Sequence, residues 1–458
     1  MLSFYTIICV LDYYSYKNIE KLYEFFKYCY NMYVQRKRDI MVPPYYDKLA
    51  KWTEIVPESE IRRLLLYNVK YYFGGGKPGS LPIDTFKKIF MHIAEDLETN
   101  GIDILNYGPT SGILSLKNVL EERMKRLDGI NIPNGGDDIL ISTGSQQMLY
   151  GILDCLIRPK DVIVMARPSY LGFVVPVTKL GGNVMTVPSD MDGLIPEHVE
   201  KAVDVCKREL KQTPKAIYVV SDTDNPKGTT LPEKRRKELF NIAVQNEILL
   251  IEDAAYREIQ FSKIPPPIKK YDTENKWVAY LRTSSKEAAV LRLGYSVLPE
   301  EIMIPMIKEK GYLDLCTPTL TQKILEIYYS QHIDNVLADN LRIYKERRDI
   351  MGKMIEDYFP SNGINSRPTG GFFFWYQMAD EKFDSGKFME EKAIPNEVLY
   401  VPGKAFYPIK GYSINADDSK LHGNRIKTNG MRISFSFVSS QIIKEGMEIL
   451  GKLLQKEA

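Results

Sequence analysis

Five short apolar runs lie between Asp137 and Tyr295, and each of them ends in a cluster of polar residues. Helix-like segments separate the runs, which read "DDILIS", "DVIVMA", "KAIYVV", "ILLIE" and "WVAYL". Buried, β-rich strands that alternate with helices form a mainly parallel sheet with helices on both faces. The pattern therefore predicts an α/β fold. Ligands of such folds bind at the carboxyl ends of the strands, which is where these polar clusters would meet.

Charge and composition exclude several classes of protein. The 61 basic and 59 acidic residues give a formal charge of +2, which argues against nucleic acid or an anionic membrane as the main partner. The five cysteines and four histidines are scattered, so we expect neither a disulfide framework nor a bound metal. No apolar run is long enough to span a bilayer, and the N-terminal "FYTIICVL" lacks the flanks of a signal peptide. We therefore expect a cytoplasmic protein.

The first three polar clusters each allow a structural and a functional interpretation. Ser145 and Gln146 follow a strand at a turn that enters a helix, where free backbone N–H groups can bind an anion. Ser145 could equally be a simple helix cap. Tyr170 could stack on a flat ligand or pack in the core. Asn225 precedes a proline and could donate a hydrogen bond to a ligand or only form a turn.

The last two clusters carry charged groups. Asp253 ends a strongly apolar strand, and a buried carboxylate needs a partner such as a protonated ring nitrogen. Tyr256, three residues later, could reach the same ligand. Lys286 could be a solvated lysine, or it could be a desolvated amine used as nucleophile or base. Three neighbours could hold part of an anion: Thr283, Ser285 and Arg292.

Together the five clusters supply an anion cradle, a stacking ring, a carboxylate, a phenol and a reactive amine. Pyridoxal phosphate needs all five, for its phosphate, its ring, its pyridinium nitrogen, its phenolic oxygen and its aldehyde, which forms a Schiff base with a lysine. The sequence therefore predicts pyridoxal phosphate as the cofactor.

The chain resembles the fold-type I, class I/II aminotransferases that use pyridoxal phosphate. More narrowly, it resembles the branch that contains 2-aminoadipate, kynurenine and aromatic aminotransferases. Matching stretches run in family order from about residue 60 to the C-terminus. They are "YFGGGKP", "LNYGPTSGILSLKNVL", "ISTGSQQMLYGIL", "RPSYLGF", "DNPKGTTLPEKRRKEL", "LLIEDAAYREIQF", "SSKEAAVLRLGY", "PTGGFFFW", "YVPGKAFYP" and "MRISFSF".

The resemblance implies a fold and a domain organisation. We expect a mainly parallel central sheet with helices on both faces, together with a smaller α+β domain. Apart from the resemblance, the helical spacing of apolar and aromatic residues between Ile19 and Tyr33 predicts an N-terminal helical arm. The predicted parts are an arm over 1–60, a segment of the small domain over 61–95, a large cofactor-binding domain over 96–325 and a small C-terminal domain over 326–458.

The resemblance also implies roles for single residues. Lys286 would form the Schiff base and carry the proton, Asp253 would hold the ring nitrogen, and Tyr170 would stack on the ring. Tyr256 and Asn225 would bond the phenolic oxygen. The phosphate would be held by Ser145, Gln146, Thr283, Ser285 and Arg292, with Tyr107 reaching the phosphate of a neighbouring subunit. Substrate would be bound by Arg432, which takes the α-carboxylate, and by Gly76 and Asn225.

Three features depart from the family pattern. A Pro-Gly pair is missing between Lys286 and Arg292, which weakens the case for Arg292 as a phosphate ligand. The stretch "TDNPKG" replaces the usual "QNPTG" and brings Asp224 and Lys227 near the predicted site. The N-terminal arm is longer than is usual in the family, and Arg62 in "SEIRR" is a poor local match to a substrate-contacting arginine of some relatives.

The predicted function is transfer of an amino group between an L-amino acid, aromatic or of broad range, and 2-oxoglutarate or another 2-oxo acid. We expect an obligate homodimer with shared active sites and small-molecule substrates. A lyase on the same fold stays open, as does a preference for 2-aminoadipate or branched-chain donors. A transcription regulator is disfavoured because the N-terminal extension is short and shows no basic recognition helix. A structural protein with a dead site is disfavoured by the complete residue set.

Overall fold

The structure is a computed structural model that describes residues 48–56, 60–79, 82–418 and 420–457. The predicted N-terminal helix, around Ile19 to Tyr33, lies outside the described residues. The chain divides into two compact units, Met1–Ile55 and Val56–Ala458. Of the first unit, the described part contains one short helix.

The described helices alternate with strands in the first part of the second unit and cluster in its later part. In chain order they are α1 (Trp52–Ile55), α2 (Glu60–Leu64), α3 (Ile83–Leu105), α4 (Leu114–Asp128), α5 (Ser145–Leu156), α6 (Leu171–Lys179), α7 (Pro196–Val205), α8 (Glu233–Gln245), α9 (Glu300–Leu313), α10 (Thr319–Gln331), α11 (Ile333–Tyr358), α12 (Ser385–Phe388) and α13 (Ser440–Leu454). No described helix is both long and apolar enough to cross a membrane.

Most strands are short and buried. In chain order they are β1 (Tyr71–Tyr72), β2 (Ile139–Ser142), β3 (Val162–Arg167), β4 (Asn183–Asp190), β5 (Gly193–Leu194), β6 (Ala216–Val219), β7 (Leu249–Asp253), β8 (Val278–Thr283), β9 (Gly294–Val297), β10 (Ile364–Asn365), β11 (Phe373–Gln377), β12 (Val398–Leu399), β13 (Val401–Pro402), β14 (Tyr412–Ser413), β15 (His422–Gly423) and β16 (Gly430–Ser434).

The central sheet runs in the order β15-β14-β4-β3-β6-β7-β8-β9-β2, with β5 paired to β4. Pairing is parallel from β14 through β4, β3, β6 and β7 to β8. Strand β9 is antiparallel to both β8 and β2. All five apolar runs singled out in the sequence are strands of this sheet. The predicted α/β fold with a mainly parallel sheet is confirmed.

Helices cover both faces of the central sheet. Successive side chains of a strand point to opposite faces, and in these strands the side chains on both faces are apolar and need to be buried. On β3, Val162 and Val164 belong to a core cluster shared with α7 and α8. Ile163 and Met165, on the same strand, belong to a second cluster shared with α5 and α6. A strand that is buried on both faces reads as a continuous apolar run, which is why these strands lacked alternation in the sequence.

A smaller antiparallel sheet, in the order β10-β11-β16-β13, lies in the C-terminal part of the chain. Helices α11 and α13 pack against each other beside it, and their apolar faces join its core cluster. This confirms a smaller α+β domain, while the exact domain boundaries stay predictions. Its central strand β16 carries Arg432 opposite Trp375 of β11, which brings a basic side chain from the small domain towards the large one.

Candidate active site

One cavity of about 410 Å³ lies where strands β6, β7 and β8 end, beside the start of α5. Twelve of the thirteen residues predicted for the site line it. They are Gly76, Ser145, Gln146, Tyr170, Asn225, Asp253, Tyr256, Thr283, Ser285, Lys286, Arg292 and Arg432. The fold thus brings together residues that are up to 356 positions apart in the chain.

Lys286 lies three residues beyond the end of β8, and its amine faces the cavity. The Nζ atom is 4.8 Å from the centre of the Tyr256 ring. Burial lowers the pKa of Lys286 to about 8, against the opposing effect of the nearby Asp253 carboxylate. An amine with this pKa is partly neutral near pH 7 and can act as a nucleophile or a base.

Asp253 is the last residue of β7 and is buried at the floor of the cavity. Its carboxylate accepts a hydrogen bond from the Tyr218 hydroxyl at 2.8 Å and one from the Ala255 amide at 3.2 Å. Burial raises the pKa of Asp253, and these hydrogen bonds oppose that rise. Tyr218, which the sequence analysis did not identify, therefore fixes the orientation of this carboxylate.

An anion cradle lies at the N-terminus of α5, where Ser145 is the first helical residue. Backbone N–H groups at a helix start are free to bind an anion. The Arg292 guanidinium donates to the Ser285 hydroxyl at 2.7 Å, and the Thr283 hydroxyl donates to the same oxygen at 3.0 Å. Arg292 adopts a left-handed conformation with φ of +51°. The shortened loop without Pro-Gly therefore still brings Arg292 to the cradle.

Tyr170 and Gln146 form one wall of the cavity. The Tyr170 hydroxyl donates to Oε1 of Gln146 at 3.0 Å, and Nε2 of Gln146 donates to the carbonyl of Gly172 at 2.7 Å. Gly172 is required here because a Cβ at this position would lie 2.3 Å from the Tyr170 ring. The ring is therefore held in one place beside the anion cradle.

Arg432 is buried, with 2% of its surface exposed, and it carries hydrogen-bond donors that are not fully used. It donates to Oδ1 of Asn225 at 2.8 Å and to the carbonyl of Gly74 at 2.9 Å, while its Nε has no partner among the described residues. Its guanidinium lies 4.1 Å from the centre of the Phe373 ring. Burial lowers the pKa of Arg432 to about 10. A buried cation with a free donor is suited to a carboxylate ligand.

Tyr72 is a second residue that the sequence analysis missed. It lines the cavity, and its buried hydroxyl has no hydrogen-bond partner among the described residues. Burial raises the pKa of Tyr72, and Arg432 opposes that rise, which means that the two side chains are close. The hydroxyl is therefore available beside Arg432 to donate to a ligand. Tyr72 directly precedes "FGGG", but a tyrosine in an aromatic run carries no distinguishing signal.

Several other residues discussed from the sequence do not line the cavity. Tyr107 is 81% exposed and does not line it. The Lys227 amine donates to the carbonyls of Ser189 and Asp190, and Asp224 accepts hydrogen bonds from the backbone and hydroxyl of Thr229. Asp224 therefore stabilises its own loop, Lys227 ties that loop to the end of β4, and neither residue lines the cavity. Arg62, the other residue considered, is exposed and does not line the cavity either.

Residues 79–413 match the family model for aminotransferase class I and II. An uncharacterised aminotransferase from Saccharolobus solfataricus is 34% identical over 89% of this chain and 98% of the relative. An aromatic-amino-acid aminotransferase from Thermococcus litoralis is 32% identical over 87% and 92%. The mitochondrial kynurenine/alpha-aminoadipate aminotransferase of Mus musculus is 30% identical over 66% and 75%.

Solved structures agree with the sequence relatives. The kynurenine aminotransferase of Pyrococcus horikoshii, in complex with PMP, superposes with a TM-score of 0.81 at 29% identity, covering 91% of this chain and 99% of that one. A multiple substrate aminotransferase from Thermococcus profundus also has a TM-score of 0.81 at 29% identity, covering 90% and 99%. The resemblance stated from the sequence, the fold and the aminotransferase activity are confirmed. This chain belongs to the aminotransferase class I and II family, whose members depend on pyridoxal phosphate.

Proposed function

We propose that the cavity holds pyridoxal phosphate with Lys286 as the catalytic residue, and that it moves an amino group between an L-amino acid and a 2-oxo acid. One observation carries this proposal. The amine of Lys286, the carboxylate of Asp253 and the N-terminus of α5 face the same cavity. A reactive amine, a partner for a pyridinium nitrogen and a phosphate cradle have no shared use in a purely structural protein.

The chemistry of the lining groups fits this cofactor. Its phosphate would be held by the free backbone N–H groups at the start of α5, where Ser145 is the first helical residue. The side chains that would hold it are those of Ser145, Gln146, Thr283, Ser285 and Arg292. Asp253 would accept a hydrogen bond from the ring nitrogen, with Tyr218 keeping the carboxylate in place. Tyr170 would cover the ring, and Tyr256 and Asn225 would bond its phenolic oxygen. Pyridoxal phosphate supplies a carbonyl for the amino group and an electron sink.

The substrate α-carboxylate would bind Arg432. The free Nε of Arg432 and the free hydroxyl of Tyr72 support this role, since both are buried donors without a described partner. Asn225 would orient the guanidinium through its existing 2.8 Å hydrogen bond. Gly76 would let the substrate approach the backbone because it has no side chain. A Cβ at this position would also crowd the Phe373 ring, at 3.1 Å.

Lys286 would also move the proton. The neutral Lys286 amine would take the proton from the α-carbon of a substrate whose carboxylate lies at Arg432, hold it as the ammonium, and give it back to complete the transfer. A pKa near 8 suits this role, since a general base works best when its pKa lies near the working pH. The aromatic side chains of Phe373 and Tyr256 line the cavity and would limit the access of water to that carbon.

Broad specificity that includes aromatic donors is the substrate class we propose. The cavity is lined by the aromatic side chains of Tyr72, Tyr170 and Phe373, which can contact an aromatic ring. The Thermococcus litoralis and Pyrococcus horikoshii relatives, named for aromatic amino acids and kynurenine, support the same class. A preference for 2-aminoadipate is the second candidate, supported by the mouse relative.

We also propose a cytoplasmic homodimer in which Tyr107, exposed on its own subunit, reaches the partner's site.

Visible absorbance of the purified holoenzyme tests the proposal. Tyrosine should shift the absorbance band of the bound cofactor, and 2-oxoglutarate should then restore it with formation of glutamate. Lys286→Ala should show no such cycle, whereas Lys353→Ala, at an exposed position on α11, should behave as wild type. A band that shifts once without recovery, with release of ammonia from the donor, would instead establish a lyase.

A further inference from the structure

The charge of the cavity exceeds what the cofactor and one carboxylate require. Among the described residues that line it, four are cationic and one, Asp253, is acidic. Lys286 is used by the proposed chemistry, Arg292 by the phosphate and Arg432 by the α-carboxylate. Lys77 is left without a role. An extra cation at a binding site attracts an additional negative group on the ligand.

The backbone of Lys77 is fixed relative to Arg432. The Ser436 hydroxyl donates to the carbonyl of Lys77 at 2.8 Å, and the Ser434 amide donates to the carbonyl of Phe73 at 2.9 Å. Between these two contacts Arg432 itself donates to the carbonyl of Gly74. The segment 73–77 therefore runs along β16 and its continuation, which holds Lys77 at a set distance from the α-carboxylate site.

The amine of Lys77 is positioned, yet its hydrogen-bond donors are free. Its Nζ lies 3.7 Å from the centre of the Phe437 ring, a cation–π contact that consumes no N–H group. No described acidic side chain forms an ion pair with Lys77. The side chain is exposed at the mouth of the cavity, so a ligand can reach it without displacing another residue.

The spacing suits a substrate with two carboxylates. Gly74 contacts Arg432, and the three residues from Gly74 to Lys77 span at most about 10 Å even when fully extended. Both side chains line the same cavity and are long enough to reach a ligand between them. An amino acid of five or six carbons with a carboxylate at each end would place one group at Arg432 and the other at Lys77.

We propose that Lys77 binds the side-chain carboxylate of dicarboxylic substrates, and so determines how well the enzyme accepts them relative to aromatic donors. The inference rests on the proposed aminotransferase function and names a specificity-determining residue for it. Aromatic donors would occupy the same cavity without using Lys77, because their side chains are neutral and contact Phe373 and Tyr72 instead. Lys77 thus sets the ratio between the two substrate classes.

Steady-state kinetics of the holoenzyme with L-glutamate and with L-phenylalanine as amino donors test this inference. In Lys77→Met, which keeps the length of the side chain, kcat/KM for glutamate should fall about tenfold, the value of one charge-assisted hydrogen bond. The loss should appear mainly in KM, while the values for phenylalanine stay within about twofold. Lys77→Arg should recover most of the glutamate activity, and Lys353→Met serves as the exposed control on α11.

Salt supplies a second readout. In the wild-type enzyme, the ratio of kcat/KM for glutamate to kcat/KM for phenylalanine should fall as ionic strength rises. In the Lys77→Met enzyme this ratio should not depend on ionic strength. Equal losses for both donors, or no loss for either, would overturn the assignment of Lys77 while the enzyme remains an aminotransferase. If the wild-type holoenzyme transfers no amino group from any donor, the function on which the inference rests is itself overturned.

Discussion

At the scale of single residues, the chain neighbour of Lys286 has an unusual environment. Glu287 follows Lys286 in the chain, but its carboxyl is buried and does not line the cavity. Neither of its oxygens has a hydrogen-bond partner among the described residues. Burial and the nearby Glu258 carboxylate raise the pKa of Glu287 to about 8, although Arg282 opposes the rise. The protonated form therefore dominates at neutral pH.

A Glu287→Gln substitution should change how stability depends on pH. The folded pKa of Glu287 exceeds the ordinary value of about 4.3, so the folded state binds this proton more tightly than the unfolded state. The free energy of unfolding contributed by this group is therefore greatest at low pH and declines up to about pH 8. Glutamine mimics the protonated acid and removes that decline. At pH 9 the variant should be more stable than wild type by about 1 kcal/mol or more.

Urea unfolding at pH 6 and pH 9 measures this effect. The difference in unfolding free energy between variant and wild type should grow with pH. Glu122→Gln, at an exposed position on α4, controls for the general loss of one negative charge. Parallel pH profiles for Glu287→Gln and wild type would contradict the expected protonation of Glu287.

The sequence could predict most of the lining residues because parallel strands end at one edge of a sheet. Asp253, Thr283 and Lys286 needed only that rule. Tyr218 could not be found in the same way, since its position within an apolar strand is typical of core. Its contact with Asp253 depends on β6 pairing with β7, with Tyr218 opposite Ile251, and the order of strands is not written in local patterns.

At the scale of elements, the packing of strand β9 against helix α5 shapes the anion cradle. Gly294, the first residue of β9, pairs with Ser142 on one side and Thr283 on the other. A Cβ at Gly294 would lie 2.5 Å from the backbone nitrogen of Ser145 and equally close to the carbonyl carbon of Gly144. Real Cβ contacts are not this short, so only glycine allows the helix start to approach the strand.

Gly294→Ala should therefore weaken cofactor binding. The added methyl group must push away the N-terminus of α5, which moves its free N–H groups out of the cradle. We expect at least about a tenfold rise in the dissociation constant for pyridoxal phosphate, equivalent to about 1.4 kcal/mol. Absorbance titration of the apoprotein measures it.

Gly311→Ala is the matched control. Gly311 lies on α9, where an added Cβ would meet nothing within 4 Å. Alanine in a helix interior is favoured over glycine by about 0.5–1 kcal/mol, so this variant should melt at a higher temperature with unchanged cofactor affinity. Unaltered affinity in Gly294→Ala as well would show that the start of α5 does not hold the phosphate.

The sequence predicted the cradle in outline, but it could not predict how a loop without Pro-Gly would close. In the structure one left-handed residue, Arg292, replaces the turn that the pair would make. Arg292 donates a hydrogen bond to Ser285, so its side chain reaches the cradle without the Pro-Gly pair. Local sequence patterns rarely predict a positive φ at an arginine, since left-handed geometry is typical of glycine and asparagine.

At the scale of the whole molecule, Tyr107 is the predicted site residue that lies outside the cavity lining of its own chain. It is 81% exposed, far more than a buried cofactor ligand would be, and it does not line the cavity of its own chain. Exposed apolar side chains occur near it in sequence, among them Ile102, Leu105 and Leu114. Such a surface is consistent with an interface to a second subunit. The prediction that Tyr107 completes a neighbour's site is therefore a prediction about the assembled dimer.

Mixed dimers would test the shared site directly. Tyr107→Ala should weaken cofactor binding about tenfold by loss of a hydrogen bond to the phosphate, and Lys286→Ala should abolish transfer. A dimer with one subunit of each variant contains one intact site, built from Lys286 of the first variant and Tyr107 of the second. Unfolding and refolding the two variants together, at limiting pyridoxal phosphate, should therefore restore about a quarter of wild-type activity, since half the dimers are mixed and each has one working site of two. If Tyr107 acts within its own chain or has no role, the mixture will be no more active than the average of the two variants refolded separately.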